Sequence, residues 1–347
     1  VEFKPPFLVF LGDSGDARAA KTAFGLRDWR REWCVGQVRL PGCAIDLGLP
    51  DLSPAEAAAR GARAMVVGIS PRGGALPEGW IPCLLDAVRA GLDLVNGLHQ
   101  RLGSVAALAA AAGARGTRLH DVRDPPAGIP LATALPRGGR RLLTVGTDQN
   151  IGKKYTALAL EREFRGRGID ADFRATGQTG IMISGGGIAV DAVPGDFITG
   201  AVEALTPANH PDHWDVIEGQ GCVLSPTTAA SVGLVNGAAA HALVMCHEPT
   251  RRHMNGLPHV PVPPIGEVMD AVMLFARRRN PEARFVGLSV NTSAMPEREA
   301  RRLIDDVEAE FSLPATDPMR FGVAALADAT LAAFPTTRSP ELEPTCA

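Results

Sequence analysis

Short apolar runs recur along the chain, separated by longer stretches with helical spacing. FLVFLG (7–12), CVGQV (34–38), AMVVGI (64–69) and LDLVNG (92–97) predict strands, the first feeding a Gly-Asp turn. Helices are expected over 54–61, 80–90 and 103–113, with TRLHDVR (117–123) as a last strand. Alternation of this kind implies a parallel sheet covered on both faces. A second alternating series starts at Leu142: strand 141–145, helix 152–167, strand 170–175 and the loop TGQTG (176–180). It continues with a helix near 197–205, strands 214–219, 241–247 and 284–291, and helices at 265–279, 297–310 and 320–334. Between the series, 124–141 holds four prolines and three glycines and reads as a linker. The expected fold class is therefore α/β with two parallel-sheet domains. Their bounds are 1–125 and 141–335, with a linker over 126–140 and a frayed tail at 336–347.

Composition narrows the partners. At 347 residues and 46% apolar, the chain suits two globular domains. A net charge of −3 supplies no broad basic field, which argues against nucleic acid. The six cysteines are scattered without a C-x-x-C pair, so reduced thiols in a cytoplasmic protein are expected, with no zinc site. The apolar run near the N-terminus is too short for a signal peptide or a membrane span, and SVAALAAAAGA (104–114) fits a buried helix. No membrane partner is expected.

The stretch LLTVGTDQNIGKKYTALAL (142–160) carries the chemistry. An apolar strand, a glycine-bounded loop and an alanine-rich helix follow one another, the context a phosphate-binding P-loop requires. Such a loop aims successive backbone N–H groups into one concavity, and its lysine adds a full charge. The loop runs Gly146, Thr147, Asp148, Gln149, Asn150, Ile151, Gly152, Lys153, its first glycine one residue earlier than in the G-x₄-G-K spacing. Lys154 stands where nucleotide-hydrolysing enzymes keep a Ser or Thr for magnesium; Tyr155 and Thr156 follow. The duller reading is a glycine-rich turn with a solvated lysine.

Two later loops fit the same site. Glu218 ends the apolar run of DVIEGQG (215–221), and ATGQTG (175–180) ends another strand; ligands of open parallel sheets bind beyond such strand ends. Glu218 could instead cap a helix or hold a backbone amide, and Asp196 could be a helix N-cap. His210 and His213 in NHPDHW read as surface residues, and Cys222 as a small buried one. FLGDSGDARAAKTAFGL near the N-terminus lacks G-x-G-x-x-G, which argues against NAD.

The G-T-D-x-x-x-G-K pattern resembles the dethiobiotin synthetase branch of P-loop proteins. With TGQTG, DAVPGDFITGAVE (191–203), IEGQG, HEPTR (247–251) and NGLHQRL (96–102), the chain over about 7–334 resembles a bacterial family long catalogued as of unknown function. That family joins a Rossmann-like N-terminal domain to a dethiobiotin synthetase-like P-loop domain. Its members include D-glutamate N-acetyltransferases, which work beside a racemase acting on N-acetylglutamate. The resemblance implies acetyl transfer from acetyl-CoA to the α-amine of D-glutamate. Lys153 and Lys154 would then neutralise coenzyme A phosphates, and Gly146 through Thr156 with Asn291 would form the donor site. Acetyl transfer cleaves no phosphoryl bond and needs no magnesium, which accounts for the missing Ser or Thr. Glu218 is the first candidate for general base, followed by Asp191, Asp196 and His247. Thr176, Gln178, Thr179 and Gln220 are expected at the substrate. Arg251 and Arg252 could clamp its carboxylates or form a solvated pair, and loop N–H groups could polarise the thioester carbonyl. The first domain is expected to shape the cleft or the interface of a homo-oligomer. Two rival readings stand: a magnesium- and ATP-dependent ligase or kinase of dethiobiotin synthetase type, and a non-catalytic nucleotide sensor.

Overall fold

The computed structural model describes residues 3–71 and 73–335; the expected tail at 336–347 lies outside the described residues. By packing, the chain divides into two units. The first joins the residues up to Ala127 with Gly177–Ala192, and the second joins Gly128–Thr176 with the chain from Val193 onward.

In chain order the first unit contains β1 (Phe7–Phe10), α1 (Lys21–Trp29), β2 (Cys34–Val38), α2 (Pro54–Ala59), β3 (Ala64–Val67), α3 (Ile81–Arg89), β4 (Asp93–Asn96), α4 (Ala106–Arg115) and β5 (Leu119–Asp121). The strands form one parallel sheet in the order β2-β1-β3-β4-β5. Every residue of β1 and β3 is buried, as expected of strands covered on both faces. Local chemistry sets the helix starts. Ser53 and Glu56 make a reciprocal capping box at α2, with Pro54 in its first turn.

From the linker the chain enters β6 (Arg140–Gly146), α5 (Lys153–Gly166) and β7 (Ala171–Arg174) of the second unit. It then forms α6 (Gln178–Ser184), which packs with the first unit, against α1. The remainder is α7 (Ile198–Leu205), β8 (Trp214–Ile217), α8 (Ala230–Ala238), β9 (Ala242–His247), α9 (Ile265–Arg279), β10 (Arg284–Val290), α10 (Glu297–Phe311), β11 (Ala315–Thr316) and α11 (Ala324–Ala333). The second sheet is also wholly parallel, ordered β11-β10-β9-β6-β8-β7. One face of its core packs Leu142, Leu160, Phe164, Trp214, Val244 and Leu326, with the rings of Phe164 and Trp214 5.6 Å apart. The residues of 128–139 are not a free tether. Glu203, nearly buried, accepts from the backbone N–H of Thr133 (2.7 Å) and Ala134 (3.0 Å) and pairs with Arg279 (2.9 Å).

Besides the short strand β11, three helices depart from the expected series. The segment 176–180 is not simply a loop: α6 begins within it at Gln178. Helix α8 escapes periodicity because ASVGLVNGA combines glycines with β-branched residues, both poor helix formers. Close packing explains those glycines, since a Cβ on Gly237 would lie 2.5 Å from the Thr199 carbonyl oxygen. Helix α1 contains Gly25 within KTAFGLRDW and was hidden behind a turn-rich stretch. His213 is not a surface residue. It is 2% exposed, with Nδ1 2.9 Å from Asp170 and Nε2 3.3 Å from Asp215.

Candidate functional site

Strand order places the site. In the second sheet the chain builds β7 and β8 on one side of β6, then crosses to β9 on the other. In open parallel sheets ligands bind beyond the carboxyl ends of the strands at such a reversal, which here are the ends of β6 and β9. The loop at 146–153 leaves β6 at that point. Gly146 must be glycine: a Cβ would stand 2.7 Å from Ile151 Cδ1 and 2.9 Å from the Cys246 carbonyl oxygen. Ile151 is buried and anchors the loop from below, while Asn150 (φ 57°) and Gly152 (φ 117°) take left-handed conformations that turn it into α5. Thr147 donates its backbone N–H to the Cys246 carbonyl (3.2 Å), and its hydroxyl lies 2.9 Å from His247 Nδ1.

Lys153 is 5% exposed, and its ammonium donates to the Asp148 carbonyl of the loop itself. Burial pushes its pKa down, so an anionic ligand would restore what desolvation costs it. Lys154, half-buried, holds its ammonium 5.1 Å from the ring centroid of Tyr155. The Thr156 hydroxyl bonds Ser289 (2.7 Å) and the Gly152 carbonyl (3.1 Å) in the core.

One wall beside the loop is the end of β8. Glu218 is 4% exposed, and its Oε2 accepts the Thr176 backbone N–H (3.0 Å). The Thr176 hydroxyl donates to the Glu218 carbonyl (2.6 Å) and accepts from Gln220 Nε2 (3.1 Å). Gly219 lies flat on β6: a Cβ there would sit 1.7 Å from the Thr144 carbonyl oxygen and 3.0 Å from Lys153 Cδ. The Thr144 hydroxyl accepts the Gly219 N–H (3.0 Å), a role signalled in the sequence only by one hydroxyl within an apolar strand. Cys222 beside this wall is buried, and burial pushes its thiol pKa up, against a nucleophilic role.

The other wall follows β9. Burial lowers the pKa of His247 to about 4, so it is neutral at neutral pH. Arg251 is tied into the protein. Its fork donates to Asp148 Oδ2 (2.8 Å), the Gln149 carbonyl (2.6 Å) and Glu248 Oε2 (2.6 Å). Asn255 adds its backbone N–H to Asp148 (2.7 Å), a contact no side-chain pattern announces. Asp148 therefore ties the loop to 251–255 with its side chain. Arg252 is exposed. Asn291 donates its backbone N–H to the His247 carbonyl (2.8 Å) beyond β10.

Within the second unit the structure thus gathers Gly146 through Lys154, Thr176, Glu218, Gln220, His247 and Asn291. Gln178, Thr179 and Asp191 pack with the first unit instead. There Thr179 bonds Thr22 hydroxyl to hydroxyl (2.8 Å), and Asp191 pairs with Arg123 (3.0 Å). Asp196 is exposed and does not cap α7, whose N-cap position is Phe197, without a side-chain cap. The first sheet has its own reversal, between β1 and β3, but the chain fills it. Ala23 N–H donates to the Gly68 carbonyl (3.1 Å) and Ser70 N–H to the Ala19 carbonyl (2.8 Å). A Cβ on Gly12 would meet Trp80 at 2.6 Å, and Trp80 Nε1 donates to Asp13 (2.9 Å).

A parallel sheet with a glycine-bounded loop at its reversal, a buried lysine and a following helix defines a P-loop α/β protein. Residues 131–327 match the family described as "Domain of unknown function (DUF1611_C) P-loop domain", and residues 38–125 match "Domain of unknown function (DUF1611_N) Rossmann-like domain". The chain belongs to this family. It is 48% identical over 94% of its length to a D-glutamate N-acetyltransferase from Tritonibacter scottomollicae, covering 98% of that protein. It is 42% identical over 93% of its length to a D-glutamate N-acetyltransferase from a Pseudoalteromonas species, again covering 98% of it. The crystal structure of a DUF1611 family protein from Anabaena variabilis superposes with a TM-score of 0.85 at 34% identity, over 95% of this chain and 100% of that one. Among the described residues no helix is long and apolar enough to cross a membrane.

Proposed function

We propose that this chain transfers an acetyl group to the α-amine of D-glutamate, with acetyl-CoA as the donor. The observation that carries the reading is the 48% identity, over nearly the whole chain, to a D-glutamate N-acetyltransferase. The P-loop suits the donor: loop N–H groups and Lys153 would hold the phosphates of coenzyme A, and Lys154 would add charge without a metal ligand. Thr156 is committed to the core, which leaves this turn no hydroxyl for magnesium and weighs against the ATP-dependent ligase reading.

Transfer to an amine requires a neutral amine and a polarised thioester carbonyl. Glu218 is the proposed base. Its carboxylate lies at a strand end next to Gly219, which packs on the Lys153 stem, and the Thr176 amide fixes its orientation. His247, with a pKa of about 4, is poorly matched to take a proton at neutral pH and is proposed to orient Thr147. Five described cysteines are free, in keeping with a cytoplasmic protein; a homo-oligomer rests on resemblance alone and is tested by sedimentation.

The decisive assay offers purified protein acetyl-CoA with D- or L-glutamate and follows free thiol. Thiol release with D-glutamate is expected, and Glu218→Gln should lose turnover while keeping donor affinity. Release of ADP from ATP, with no thiol from acetyl-CoA, would replace this reading with the ligase. Donor binding with turnover of neither would leave the sensor.

A further inference from the structure

An acidic side chain is an odd choice for a loop that holds anions. Asp148 is the third residue of the run from Gly146 to Lys153 and is 3% exposed. Left unpaired, its charge would be costly to bury and would repel a phosphate. The chain neutralises that charge internally. Oδ2 of Asp148 accepts from Arg251 Nη1 (2.8 Å) and from the Asn255 backbone N–H (2.7 Å). The same Nη1 donates to the Gln149 carbonyl (2.6 Å), and Nη2 donates to Glu248 Oε2 (2.6 Å). The Lys153 ammonium donates to the carbonyl of Asp148 itself. Two successive loop residues are thus gripped at side chain and backbone, all within the second unit.

The anchor is itself closed. Met254, 4% exposed, donates its backbone N–H to the Val260 carbonyl (2.8 Å), and Val262 donates to the Arg252 carbonyl (3.0 Å). The segment 252–262 therefore folds back on itself, and Asn255 reaches Asp148 from inside that turn. The loop needs such a hold. Asn150, two residues beyond Asp148, keeps a left-handed backbone (φ 57°) that neighbouring contacts must maintain. We infer that Asp148 is a positioning residue for the donor: through Arg251 and Asn255 it keeps the loop backbone in its phosphate-binding shape before the donor arrives. The inference rests on the phosphate-holding role proposed above for this loop. It also opposes simple electrostatics in sign. Asp148→Asn removes a negative charge from an anion site, so charge alone predicts tighter donor binding. Loss of positioning predicts weaker binding.

Calorimetry with acetyl-CoA reads that sign. Asp148→Asn is expected to weaken acetyl-CoA binding about 5- to 50-fold and to raise its KM by a similar factor, with kcat at saturating donor nearly unchanged. Binding as tight as wild type, or tighter, would overturn the inference. Arg251→Gln should weaken the donor to a similar degree, and the double variant should be little worse than the weaker single, because both break one network. Losses that multiply would show two separate contacts and overturn it as well. Should Asp148→Asn fail to fold, Arg251→Lys, which keeps charge but loses the fork, is read by the same criteria. If wild type binds no acetyl-CoA, the donor assignment fails by itself. Hydrogen exchange of the ligand-free protein then decides whether Asp148 holds the loop. The amides of 147–153 should exchange about tenfold faster in the variant with those of β10 unchanged, and equal exchange in the loop refutes the inference.

Discussion

The two sheets share a design and diverge at one place. Each is wholly parallel, and each reverses direction beside its first strand. At the first reversal Trp80 covers Gly12, and the backbone of 19–23 bonds directly to 68–70. At the second, the loop from β6 passes over Ile151, with Lys153 buried and donating to the loop carbonyl of Asp148. Topology offers a binding position twice. Side-chain volume and backbone contacts close the first, while the second carries the P-loop.

Removing the cradle's floor should have the largest effect. Gly219→Ala would press a methyl into the Thr144 carbonyl at 1.7 Å, forcing β8 from β6. Thermal unfolding should show a loss of about 3 kcal/mol or more, and donor turnover should vanish. A variant as stable as wild type would show that the wall is not rigid.

A cleaner separation of the two reversals comes from charge. Lys153→Ala should weaken acetyl-CoA binding by about 10- to 100-fold in calorimetry. Trp80→Ala, which empties the first reversal, should cost about 3 kcal/mol of stability and leave donor affinity alone. Equal donor loss in both variants would break the comparison.

The smallest effect is a pH dependence. His247 titrates near 4 in the folded protein because it is buried, against 6.5 when exposed. Between those values the unfolded chain binds a proton that the folded chain refuses. Its contribution is thus present above pH 6.5 and lost as pH falls through 4. His241, held near 4 by burial and by Arg141 and Arg140, acts in the same direction. His247→Gln should flatten part of the stability loss between pH 6.5 and 4 in denaturant titrations. An unchanged slope would assign the whole effect to other groups.

Much of this was legible beforehand, for identifiable reasons. The expected helix at 265–279 matches α9 residue for residue, because its apolar stripe and terminal arginines both mark its limits. The glycine spacing of 146–152 marked the turn from β6 into α5, since tight turns and close approaches leave few substitutes. The fate of Arg251 was not legible: nothing in HEPTR says that its partners are Asp148 and Glu248 rather than a substrate. Nor does TGQTG disclose that Thr176 stays with one unit while Gln178 packs with the other. Such assignments depend on contacts between residues far apart in sequence, which periodicity cannot see.

The excursion at Gly177–Ala192 has a practical consequence for anyone dissecting this polypeptide. A gene divided at the proline-rich connector would encode an amino-terminal product whose Gly97 surface has lost its covering helix. The complementary product would carry that helix as an orphan, its Thr179 hydroxyl deprived of Thr22. Neither half can be made whole by a single cut, so the molecule is best expressed, engineered and shuffled as one piece.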